Sequence, residues 1–154
     1  MSINIVLFEP EIPPNTGNVS RLCAASNTVL HLIEPLGFSL ADKYLKRAGL
    51  DYWQFLKLEV HPDWSSFCYK YGQARHFFAT TKGHKNYAEI DFQEGDFIIF
   101  GPETRGLPQS ILDLNRENNI RIPILSETRS LNLSSSVAIV LYEALRQLNF
   151  PHLN

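Results

Sequence analysis

Cysteine is scarce in this 154-residue chain, which has only Cys23 and Cys68 and no CxxC pair. Two thiols so far apart suggest neither a disulfide framework nor a zinc site, and they fit a reducing compartment. The five histidines show no HExxH or HxxxH spacing, so no metal is expected. Long apolar runs are also missing. The longest, Val137–Tyr142, is far too short to span a bilayer. The opening Met-Ser-Ile-Asn lacks the basic stretch and apolar core of a signal peptide, so a cytoplasmic protein without a membrane partner is expected. Nor is there an excess of one charge. The formal net charge is -2, so a nucleic-acid site would have to be a local patch. Neither a P-loop nor a G-x-G-x-x-G after a strand occurs, which disfavours mononucleotide and dinucleotide folds of those types.

What is present suits one globular domain over residues 1–154, with 44% hydrophobic and 19% charged residues. The run Ile5–Phe8 reads as a strand covered on both faces. A proline-rich turn follows, then Asn15-Thr-Gly-Asn18 with several possible N-caps, then helical spacing through Val19, Leu22 and Cys23. Asn27 suits a left-handed helix end, and Leu30–Ile33 is a second strand. This βαβ unit implies a parallel sheet with a right-handed crossover. Further on, a helix is expected over Ala41–Phe55, and another after Pro62-Asp63 with Trp64, Phe67, Cys68 and Tyr71 on one stripe. Strands follow at Arg75–Thr81, Phe97–Phe100 and Ile120–Leu125, with Pro123 at an end or an unpaired position. A short helix is expected over Pro108–Leu114 and a long one over Asn132–Leu148. The alternation predicts an α/β fold, a mostly parallel sheet with helices on both faces.

Three polar segments each follow a strand: Asn15–Arg21, Gly101–Pro108 and Glu127–Ser136. In the second, two glycines, two prolines, Glu103 and Arg105 crowd the carboxyl end of a strand. That fits either a tight surface loop with an ion pair or backbone brought close to a ligand. The third has more hydroxyls and amides than helix capping by Ser130 or Asn132 needs. It also sets Arg129 at a helix start, where a cation is unfavourable unless an anion binds.

Together the segments Glu9–Asn18 with Arg21, Leu22–Ala24, His31–Phe38, Arg47–Tyr52, Thr80–Gly83, Phe100–Pro108, Ile120–Pro123 and Arg129–Ser134 resemble the SPOUT, or α/β-knot, RNA methyltransferases. The resemblance is to their small single-domain TrmL/YibK-like branch and covers nearly the whole chain. It implies a deep trefoil knot in the C-terminal third, where periodicity shows none. It implies S-adenosylmethionine as methyl donor, without a metal, and tRNA as partner. The reaction would be 2'-O-methylation of the wobble nucleotide, cytidine or modified uridine, in leucine isoacceptors. Alternatives are a SPOUT enzyme for another tRNA or rRNA site, or a non-catalytic RNA-binding knot protein. The cofactor pocket would be lined by Ala79, Thr80, Gly101, Pro102, Glu103, Gly106, Ile122, Ser130, Leu131 and Asn132. Arg21, Asn15, Asn132 and Tyr142 would be catalytic. Because arginine stays protonated, Arg21 would orient the ribose phosphate and stabilise the developing alkoxide. Lys43, Arg47, Lys82, Arg105 and Arg129 would contact RNA, with Lys46, His84, Lys85 and Arg121 as further candidates. A homodimer is implied, with the first and last helices as its faces.

Overall fold

The computed structural model describes residues 2–41 and 50–154. Seven strands form one sheet: β1 (Asn4–Phe8), β2 (Val29–Ile33), β3 (Lys57–His61), β4 (His76–Ala79), β5 (Lys85–Asn86), β6 (Phe97–Phe100) and β7 (Asn119–Arg121). Their order is β3-β2-β1-β6-β4-β7-β5, and every pairing is parallel. The helices are α1 (Pro13–Ala25), α2 (Trp64–Tyr71), α3 (Gln109–Leu114) and α4 (Leu133–Gln147), and Leu50–Phe55 forms a 3-10 helix.

The continuous apolar strands are explained by the two layers that cover them. Along β1, Ile5 and Leu7 face a core shared with Val19 and Cys23 of α1 and Val137, Val140, Leu141 and Ala144 of α4. Val6 and Phe8 face the other core, with Phe67 of α2 and Ile111 and Leu112 of α3. Period-2 alternation thus sends successive apolar side chains into different layers, and a parallel sheet needs both.

Several expectations shift. The helix α1 begins at Pro13, with Ile12 as N-cap and no side-chain cap, rather than at the Asn15–Asn18 segment. Proline suits the first turn because its missing N–H would be unpaired there anyway. At the other end Asn27 takes the expected left-handed conformation, with φ of 55°. Asp63 caps α2 through Ser66 N, and Asn132 caps α4 through Ser134 N and Ser135 N. The strand expected over Ile120–Leu125 stops at Arg121, ahead of Pro123. Two strands were not foreseen. In β3, Lys-Leu-Glu-Val-His alternates as an edge strand should, and β5 has only two residues. The helix expected over Ala41–Phe55 lies mostly outside the described residues, and Leu50–Phe55 is 3-10.

Candidate functional site

Strands β6, β4 and β7 lie side by side, with Ala79 in register with Phe100 on one side and with Ile120 on the other. The chain therefore leaves the sheet at three adjacent points, at Thr80, Gly101 and Ile122. Crevices at the carboxyl ends of parallel strands are where α/β proteins bind ligands. Thr80 N donates to Ile120 O at 2.9 Å, and Gly83 N closes a turn onto Thr80 O at 3.1 Å. The loop after β6 folds back on itself. A Cβ on Gly101 would come within 2.3 Å of Leu107 N, so no other residue fits this close approach. Gly106 has φ of +68°, with nothing within 4 Å of a Cβ placed there, so its backbone borders open space.

This loop is fastened to the start of α1. Both oxygens of Glu103 are engaged: Glu11 N donates to Oε1 at 2.9 Å, and Ile12 N and Asn15 Nδ2 donate to Oε2 at 2.8 and 3.2 Å. A carboxylate from the β6 loop thus supplies the helix-capping acceptor that the local sequence lacks. In return, Thr104 N and Oγ1 donate to Glu11 Oε1 at 2.9 and 2.7 Å. The Thr104 backbone and side-chain bonds hold the Glu11 carboxyl below its usual range. Arg105 reaches Glu9 at 2.8 Å. Glu103 and Arg105 therefore do not pair with each other; each binds the β1–α1 loop.

Asn15 extends the connection to the third segment. It is buried, and its Oδ1 accepts from Asn132 Nδ2 at 3.0 Å while its Nδ2 donates to Glu103. Asn132 Oδ1 in turn takes the N–H groups of Ser134 and Ser135. Three segments scattered along the chain are thus joined through Glu103, Asn15 and Asn132.

Two of the expected catalytic residues make other contacts within one chain. Arg21, exposed on α1, rests over the Tyr52 ring at 4.6 Å and donates to Tyr52 Oη at 3.4 Å. Tyr142 is ten residues along α4 from the Asn132 cap, about 15 Å at helical rise. Its ring neighbours Phe150 at 6.5 Å. Pro102 is buried, Ile122 half-buried, and Ser130 and Leu131 are exposed. Lys82, His84, Lys85, Arg121 and Arg129 are exposed, and the Lys85↔Ile120 and Asn86↔Arg121 register sets Lys85 and Arg121 on neighbouring strands. Lys43, Lys46 and Arg47 lie outside the described residues.

Sequence reasoning assigned no role to Tyr52 or to a buried polar group on the other face of the sheet. There His31 Nδ1 and His61 Nε2 are 3.1 Å apart, with Glu59 Oε2 at 3.6 and 3.7 Å. Although these are metal-ligand types within 4.8 Å of one another, the ring centroids are 5.3 Å apart. That is near the maximum for a 3.1 Å N···N contact, so the two rings point at each other in a direct N–H···N bond. Asn4 Nδ2 donates to Ser2 O, which turns Asn4 Oδ1 toward His31 Nε2 at 3.0 Å. Burial first, then nearby Lys70 and His61 against the opposing pull of Glu59, depresses the His31 pKa to about 4. No local spacing signals such a group, because its members come from β1, β2, β3 and α2.

This chain is similar to known proteins over nearly its whole length. A tRNA (cytidine(34)-2'-O)-methyltransferase of Methylovorus glucosotrophus is 55% identical over 148 residues, covering 96% of each chain. The enzyme of that name from Escherichia coli K12 is 53% identical over 150 residues, covering 97% of this chain and 96% of its own. A solved structure concerned with 2-OH methylation of C/U34 on tRNA superposes with a TM-score of 0.92 at 45% identity, covering 96% of this chain and 97% of that one. The SpoU methyltransferase AviRb from Streptomyces viridochromogenes, solved with AdoMet, shares the fold with a TM-score of 0.83 at 19% identity, over 96% of this chain and 61% of its own. Residues 2–142, which take in the junction of Asn15, Glu103 and Asn132, match the SpoU rRNA Methylase family, and the chain belongs to that family.

Proposed function

We propose that this chain is an S-adenosylmethionine-dependent tRNA methyltransferase acting on the 2'-hydroxyl of the wobble nucleotide, cytidine or modified uridine, in leucine isoacceptors. The observation that carries the reading is the junction itself. Glu103, Asn15 and Asn132 tie two strand-end loops and the start of α4 to the helix that bears Arg21. The relatives more than 50% identical over nearly the full chain, named for methylation of cytidine 34, support the same reaction. The reading extends to a C-terminal trefoil knot, a cytoplasmic location and a homodimer. Exposed Ile139 and Tyr142 on α4, Phe150 just after it, and Ile12 at the start of α1 offer the apolar surface for a second copy.

The residues present fit the methyl donor. Gly106 leaves space against exposed backbone, Gly101 permits the tight loop, and Ile122 and Leu131 offer apolar walls beside the backbone of Ala79 and Thr80. Because both carboxylate oxygens of Glu103 are taken by the residues that lead into α1, its part in the pocket falls to its backbone, with Gly101 and Pro102. When bound, S-adenosylmethionine supplies the methyl group from a sulfonium that is already a good leaving group. Arg21 orients the ribose phosphate and stabilises charge developing on the attacking oxygen. Asn132 keeps one N–H free of Asn15 and hydrogen-bonds the ribose or the cofactor, with Ser130 beside it. Asn15 holds Asn132 and Glu103 in register. Tyr142 is too far along α4 to reach the Asn132 end of its own chain, so it contributes at the site of a partner copy. Arg129 and Lys82 lie along the RNA path, whereas Arg105 is taken up by Glu9.

The test is transfer of label from S-adenosylmethionine to total tRNA, followed by nucleoside mapping. Label in 2'-O-methylcytidine or 2'-O-methyluridine at position 34 is the expected result. Label on a base, at another tRNA site or only in ribosomal RNA would overturn the assignment.

A further inference from the structure

The described arginines differ in what holds them. Arg75, Arg105, Arg116 and Arg146 have carboxylate partners, Asp96, Glu9, Asp113 and Glu143, at 3.0, 2.8, 3.8 and 2.9 Å. Arg21 has none among the described residues. Its guanidinium carbon instead lies 4.6 Å from the centroid of Tyr52, and Nη2 is 3.4 Å from the phenol oxygen. The two modes of restraint have different consequences. A carboxylate takes the edge of a guanidinium, occupies two N–H donors and cancels its charge. An aromatic ring takes the flat face, leaving the in-plane N–H groups and the full charge available to an anion. An exposed arginine without such a support has the rotamer freedom of a long side chain to lose when it binds. Tyr52 is itself half-buried on the 3-10 helix Leu50–Phe55.

We infer that Tyr52 is a positioning residue for the methyl-transfer reaction, its ring set against the Arg21 guanidinium so that the group is presented, still charged, to the ribose phosphate of the target nucleotide. The inference rests on the tRNA-methyltransferase reading and on the role given there to Arg21. The ring is what matters. The 3.4 Å contact to the phenol is at the long end of hydrogen bonding and adds little.

The test compares Tyr52→Phe, which keeps the ring, with Tyr52→Leu, which keeps apolar bulk but removes the π face. Readouts are kcat and KM for total tRNA, the dissociation constant for S-adenosylmethionine, and the melting temperature. Tyr52→Phe is expected to stay within about threefold of the parent kcat, while Tyr52→Leu loses about tenfold or more in kcat with cofactor affinity retained. The Tyr52→Leu effect should shrink to about twofold in an Arg21→Lys background, because an ammonium has no flat face to stack. Equal kcat for Tyr52→Leu and the parent, or a full loss that persists in Arg21→Lys, would overturn the positioning role. So would parallel loss of cofactor binding and melting temperature, which marks a purely structural residue. These outcomes are separate from failure of the functional reading, which would appear as no wobble-ribose methylation by the unsubstituted protein.

Discussion

Asn15 is a donor on one side and an acceptor on the other, and both sides are used. Its position inside the first turn of α1 brings Nδ2 to Glu103 and Oδ1 to Asn132. Asn15→Ala leaves both partners short and should cost about 1–3 kcal/mol of unfolding free energy. Asn15→Asp is nearly isosteric, yet it sets a second carboxylate where a donor stood 3.2 Å from Glu103 Oε2. Two carboxylates this close raise the pKa of one of them. The folded-state pKa then lies above the unfolded value, so the aspartate variant should be the less stable of the two at pH 7.5. It should gain on Asn15→Ala as the pH falls toward 5 and a shared proton restores an O–H···O bond. Urea unfolding at the two pH values measures this, and identical behaviour of the two variants would count against the geometry. The residue scale is also where the sequence misled. Asn15 looked like a helix cap, and no local pattern could show that the capping acceptor is Glu103, because a hydrogen bond between residues 88 apart has no periodicity.

The loop from Gly101 to Pro108 combines two glycines with different physical duties. At Gly101 a Cβ would strike backbone at 2.3 Å, so the loop itself would have to move. At Gly106 no protein atom blocks a methyl, and the cost to the fold comes only from the positive φ. Gly106→Ala should therefore cost about 1–2 kcal/mol, the left-handed penalty. Gly101→Ala should displace the loop, weaken S-adenosylmethionine binding by about a hundredfold and free the Glu103–α1 contacts. Calorimetric titration of cofactor into each variant separates the two, and equal losses would show that conformation rather than crowding governs both positions. Asn132 carries a comparable duty for α4. Asn132→Ala removes the acceptor for Ser134 N and Ser135 N, and should lower stability by about 1 kcal/mol from capping alone. The sequence located both elements, since Pro108 and the hydroxyl-rich start of α4 are local signals. The edge strands β3 and β5 escaped notice because neither has a continuous apolar run.

Across the molecule, three histidines are folded into places that disfavour their charged form. Burial is the first cause of the lowered pKa of His31, His61 and His76. For His31 and His61, Glu59 pulls the other way and Lys70 adds to the lowering. The folded pKa lies below the unfolded one, so at pH 7 and above these groups leave stability unchanged. For His31, between about 6.5 and 4 the unfolded chain takes up a proton that the folded chain refuses, and stability falls by up to about 1.4 kcal/mol per pH unit, while His61 and His76 act in the same direction. The urea midpoint should drop between pH 7 and pH 5, and His31→Gln should make that slope shallower. A flat profile over this interval would mean that the histidines are not buried neutral.

The sequence by itself determined the α/β class, the order of most elements and the family, because apolar runs, stripes, prolines and glycines act locally on backbone and burial. Only the tertiary structure decided which polar groups meet. Asn132 reaches Asn15 across 117 residues, and Arg21 settles on Tyr52 across 31. Such contacts exist only because a parallel sheet returns distant segments to the same edge, and the side chains that use them have no reason to be regularly spaced along the chain.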